Sequence, residues 1–157
     1  MKFLISKKLS KKSAIFPPLV GMLLFFLIGI GFNLTYIHFK ISLLPQNTVE
    51  YILGNEEAFI EPILPEELLA IIHIELVFFM FVLPLLFFTY YRLYQNSRTT
   101  KEFIFTFSLL QIALFALAFS QIGDVFLVYL FSAAFIMGNG MLVYIVIRTF
   151  LKLIRNG

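Results

Sequence analysis

Residues Pro65 to Tyr94 read P-E-E-L-L-A-I-I-H-I-E-L-V-F-F-M-F-V-L-P-L-L-F-F-T-Y-Y-R-L-Y. The run is long and apolar enough to cross a bilayer as one helix, since ~20 residues at ~1.5 Å rise cover the ~30 Å hydrocarbon core. Its opening suits a helix start. Pro65 needs no amide partner in the first turn, and Glu66 and Glu67 favour the positive end of the helix dipole. Tyr90, Tyr91, Arg92 and Tyr94 mark the far interface. Pro84 is expected to kink the second half. Inside the apolar run stand two ionisable side chains, His73 and Glu75.

Three more blocks of this kind flank it. The spans are expected at about 15–39, 65–94, 102–122 and 125–150, in one integral membrane domain. Of the 157 residues 61% are hydrophobic and 13% charged, about half the charge of a soluble domain. The absence of cysteine excludes disulfides, thiolate-held iron–sulfur clusters and thiol nucleophiles. A basic start before an apolar run can be a secretory signal. Here the run Leu19–Ile37 is too long for one, and no small-x-small cleavage site follows, so the first span is expected to stay in the membrane.

Between the first two spans, Pro45-Gln46-Asn47-Thr48 looks like a helix start and Gly54 a stop, so Val49–Leu53 is expected to form a small interfacial helix. Gly29 with Asn33, Gly31 with Thr35, and Ala134 with Gly138 are each one turn apart. Positions so spaced let a neighbouring helix approach closely.

Eleven of the twelve basic residues fall at the N-terminus, in the 92–101 loop or in the C-terminal tail, and Lys40 is the exception. Eight of the nine acidic residues lie on the Lys40 side or in the adjacent half of the membrane; Glu102 is the exception. The positive-inside rule then puts both termini in the cytoplasm of a bacterial inner membrane and the acidic loop outside. The cations gather at span ends rather than on a folded surface, so nucleic acid is not an expected partner. The fold expected is all-α, a four-helix transmembrane bundle running up-down-up-down.

Glu75 is the sharpest candidate for chemistry. It lies eight residues past Glu67, about 12 Å into the helix. An ionised carboxylate at that depth costs about 3 kcal/mol or more. It must be held as a neutral acid or be partnered by a cation or a hydrogen-bond donor. Asn33, Thr35, Gln121 and Lys40 are the available partners. His73 is two residues away and about 200° around the helix, so the two do not share a face. A b-type haem between spans needs an imidazole on each axial side, and His38 and His73 lie on the same side of the membrane. Together His38, His73 and Glu75 form a candidate ligand, haem or quinone site. A protein metal site lacks i,i+3 or i,i+4 ligand spacing, and none is expected. Asn33, Gln111 and Asn139 are polar side chains within spans. Gln111 and Asn139 match in depth, which predicts a hydrogen bond between helices. The Gly138-Asn139-Gly140 triplet alternatively breaks the helix to offer carbonyls to an ion.

The stretch Y-I-L-G-N-E-E (Tyr51–Glu57), followed by E-E-L-L-A-I-I-H-I-E (Glu66–Glu75), resembles small uncharacterised bacterial four-span membrane proteins. In those a Tyr-x-Leu-Gly-x-Glu-Glu loop precedes a helix with a His-x-His pair. The resemblance implies cytochrome-like haem or metal binding. His73 matches the first histidine, and Glu75 stands where the second would be.

These residues point to a non-catalytic role, as an accessory subunit of a larger membrane complex or a small-ligand binder in the lipid bilayer. The alternatives are haem- or quinone-linked electron transfer through His38, His73 and Glu75, and proton-coupled transport using Glu75, Gln111 and Asn139.

Overall fold

The computed structural model describes residues 14–156. The five lysines ahead of the first span therefore lie outside the described residues. Every regular element among the described residues is helical: α1 Phe16–Ile41, α2 Pro45–Leu53, α3 Pro65–Tyr94, α4 Ser97–Phe119 and α5 Val125–Asn156, with a 3-10 turn Ser120–Ile122 before α5. Helices α1, α3 and α5, and α4 with its 3-10 turn, are each long and apolar enough to span a membrane. The architecture is the all-α four-helix transmembrane bundle that the apolar blocks predict, with α2 as the small extra helix.

Local chemistry explains the boundaries. Prolines open α1, α2 and α3, where a missing N–H leaves no intrahelical bond unmade. Asn96 caps α4, its side-chain oxygen accepting from the Thr99 N–H at 2.8 Å. The third span thus begins at Ser97, five residues before the Glu102 expected from hydropathy. A good cap recruits the polar residues 97–101 into the helix although they have no place in hydrocarbon. Asp124 does the same for α5, accepting from the Phe126 N–H at 2.8 Å. Gln95 (φ 46°) and Gly123 (φ 90°) turn the chain between neighbouring spans. Pro84 sits inside α3, which continues on both sides of it.

Helix α5 is the axis of the bundle. It touches α1, α2, α3 and α4, and its pairing with α4 is the most extensive in the molecule. Val128, Phe131, Phe135, Leu142 and Ile145 along it are fully buried. Lipid removes the hydrophobic drive for helices to associate, so fit decides which faces meet. At Gly138 an added Cβ would lie 2.6 Å from Leu110 Cδ2. The missing side chain sets how near α4 comes to α5. α1 is the least buried span, and Phe25, Phe32 and Phe39 on it are exposed.

The loop after α1 is fastened over one end of the bundle, against α5 and the 3-10 turn. Ile63 N–H donates to Tyr51 O at 3.1 Å, and Gln121 Nε2 donates to Ile63 O at 3.0 Å. Asn55 and Ile60 form an isolated antiparallel bridge. Gly54 closes α2 at φ 81°, where a Cβ would sit 2.9 Å from Ile60 O, so both its conformation and its surroundings require glycine. Lys40 pairs with Glu67 at 3.4 Å, and Tyr51 Oη donates to Glu67 Oε1 at 3.1 Å. Burial, and then this hydrogen bond to Glu67, push the Tyr51 phenol above its ordinary pKa.

Candidate functional site

Glu75 is fully buried. It lies ten residues past Pro65, about 15 Å along the axis of α3. Its partner is across the bundle: Asn33 Nδ2 on α1 donates to Glu75 Oε2 at 3.0 Å. One turn earlier on α1, Gly29 leaves room for Phe78 of α3, whose Cε2 is 3.5 Å from where a Cβ would be. The other three possible partners are engaged elsewhere. Thr35 Oγ1 donates to Gly31 O at 2.9 Å, Gln121 to Ile63, and Lys40 to Glu67.

Glu75 Oε1 is buried with no partner in the protein. As a carboxylate the group has one donor for two oxygens. As an acid it carries an O–H that needs an acceptor. As a carboxylate, Oε1 can take a proton or accept from a water or a ligand donor; as an acid, its O–H can donate to a water or a ligand acceptor.

The structure does not gather the three candidate ligands at one place. His73 is exposed on α3, on the side away from Glu75. His38 is exposed at the end of α1, and its Nδ1 accepts from the Leu43 N–H at 3.3 Å. That bond stabilises the turn out of α1. His38 also lines a groove with Lys40, Asn47, Glu50 and Tyr51, and His73 is on no wall of it. No group of three or more acidic and histidine side chains suited to a metal occurs among the described residues.

The predicted hydrogen bond between Gln111 and Asn139 is not made. Asn139 Nδ2 turns back to Phe135 O of its own helix at 3.0 Å, and its buried Oδ1 has no partner in the protein. Leu110 occupies the contact at Gly138, and Gln111, one position on, is rotated about 100° away. The Gly-Asn-Gly triplet does not interrupt α5 either, which is continuous from Val125 to Asn156. A side-chain bond to the carbonyl four residues back is compatible with an unbroken helix.

A second polar cluster was not anticipated from sequence. At the end of the bundle opposite α2, Tyr90 Oη donates to Glu102 Oε2, and Arg98 Nε donates to Glu102 Oε1 at 3.0 Å. Arg148 Nη1 lies 2.7 Å from Glu102 Oε2 and 2.7 Å from Tyr90 Oη. Its guanidinium stands 4.6 Å from the centre of the Tyr94 ring, and Tyr94 Oη donates to Arg148 O at 3.0 Å. The cluster ties α3, α4 and α5 together. One signal was available: Glu102 is the acid that breaks the charge asymmetry, and a misplaced acid asks for a cation.

No family model, no curated protein and no solved structure matches the chain. What the fold defines is a class: with four candidate spans in one bundle, this is a multi-pass integral membrane protein. Inside the bundle, Asn33 and Glu75 form a buried side-chain hydrogen bond between two spans.

Proposed function

We propose that this protein is a non-catalytic accessory subunit that acts by associating with other components of a bacterial inner membrane, both termini in the cytoplasm. The observation that carries this reading is that Glu75 and Glu102 each have a side-chain partner within the chain itself. Glu75 is bound by Asn33, and Glu102 by Tyr90, Arg98 and Arg148. The histidines are not turned toward these acids or a shared site. Such an interior holds helices in register. The exposed flank of α1 supports the same reading. Phe25, Ile28 and Phe32 lie along it, and at Gly21 and Gly31 a Cβ would meet nothing within 4 Å. A second membrane protein can lie there without disturbing internal packing. The proposed orientation is supported by Arg92, Arg98, Lys101, Arg148, Lys152 and Arg155, which share the end of the bundle opposite the acidic loop.

The test is isolation of the tagged full-length chain from native membranes in polymer discs. A larger membrane protein in constant ratio is expected, and the ratio should fall when Phe25 and Phe32 are both replaced by alanine. A chain recovered alone, or only with itself, overturns the reading.

One observation favours a second reading, proton-coupled transport. Glu75 Oε1 and Asn139 Oδ1 are both buried without a protein partner, and buried polar atoms left open are uncommon. In liposomes carrying a pH-sensitive dye, transport that uses Glu75, Gln111 and Asn139 requires a proton flux that Glu75→Gln abolishes; a structural acid tolerates that near-isostere. Bis-histidine haem would require His38 to give up its bond to Leu43 and turn toward His73. A Soret band lost in His73→Ala is its measurement.

A further inference from the structure

Beside the Tyr90–Glu102–Arg148 cluster, α3 and α5 enclose an open groove of about 340 Å³. Tyr94, Tyr144, Arg148, Lys152 and Arg155 line its polar part, and Ile147 and Leu151 form an apolar wall. We propose that this groove binds the headgroup of an anionic glycerophospholipid. Independently of any role as a subunit, four observations lead there.

First, the three cations recur at i, i+4 and i+7 on α5 and so share one face. Second, they are not equivalent. Arg148 is held inward by Glu102. Neither Lys152 nor Arg155 is paired with a carboxylate in the ion pairs seen among the described residues. Third, the ammonium of Lys152 is held 5.4 Å from the centre of the Tyr94 ring, a contact that orients the charge without neutralising it. Tyr144 Oη accepts from Arg148 Nη1 at 3.1 Å, which leaves its own O–H proton to donate. Fourth, Ile147 and Leu151 are exposed, each one residue before a cation of the groove, so an apolar strip runs beside the charges along α5. The groove therefore offers an ammonium, a guanidinium and a phenol to a phosphate, beside an apolar track for an acyl chain. Inorganic phosphate shares the first half of that chemistry and makes no use of the second.

The experiment is native mass spectrometry of the full-length protein in mild detergent, titrated with dioleoyl phosphatidylglycerol and, separately, dioleoyl phosphatidylcholine. A preference for the anionic lipid is expected. A basic residue near an anionic headgroup contributes about fivefold in affinity, so Lys152→Gln or Arg155→Gln alone should lower binding about fivefold and the pair about twenty-fivefold. Lys101, exposed at the same end but outside the groove, is the control, and Lys101→Gln should leave the preference unchanged. An equal loss in Lys101→Gln, an unchanged preference in the double variant, or displacement of the lipid by inorganic phosphate would each overturn the assignment. The substituted side chains are partly or fully exposed, and the unchanged thermal unfolding expected of the double variant separates lost binding from lost fold.

Discussion

The hydrogen bond from Asn33 to Glu75 joins two helices that otherwise touch little. Inter-helix hydrogen bonds in membranes contribute ~0.6 kcal/mol on average and ~2 kcal/mol at most. Leaving one partner buried and alone costs about 1–3 kcal/mol. Asn33→Leu and Glu75→Leu should therefore each destabilise the bundle by about 1–2 kcal/mol, and the double substitution by less than the two together. Unfolding in detergent, followed by helicity, gives the coupling directly. Strict additivity would show that the bond contributes nothing. That Glu75 is exceptional was legible in the sequence, because an acid within an apolar span stands out. Its partner was one of four possibilities. Depth follows from counting residues, whereas the rotation of one helix against another depends on packing that no single span encodes. For the same reason Gln111 and Asn139, matched in depth, do not meet.

Among the elements, the α4–α5 pair depends on Gly138. Alanine there drives a methyl into Leu110 and should cost about 1–2 kcal/mol. Alanine at Gly140, where a Cβ would meet nothing within 4 Å, should be neutral or stabilise by up to ~1 kcal/mol through helix propensity. Comparing the two thermal midpoints checks the interface itself, since both sites belong to one helix. Equal effects would mean that the close approach does not govern this pairing. The small-xxx-small spacing of Ala134 and Gly138 marked this face in the sequence. The start of the third span was less legible, because hydropathy reports where lipid begins and Asn96 reports where the helix begins.

For the molecule as a whole, four apolar blocks were enough to give the bundle, and the distribution of charge gives an orientation that can be measured. The chain has no cysteine, so single introduced thiols report without background. In intact cells an impermeant maleimide should label Glu57→Cys in the acidic loop and leave Gln95→Cys unlabelled until the membrane is opened. The reverse pattern would invert the topology. What the sequence did not display is that α5, rather than the acid-bearing α3, holds the other helices together.

That placement bears on how the protein is made. The helix that all the others lean on leaves the ribosome after them. Until it arrives, α1, α3 and α4 must wait in the membrane with their inner faces, Glu75 among them, open to lipid or to an insertion factor. A chain whose synthesis stops at Gly123 should accordingly be inserted, fail to close and be cleared by membrane proteases.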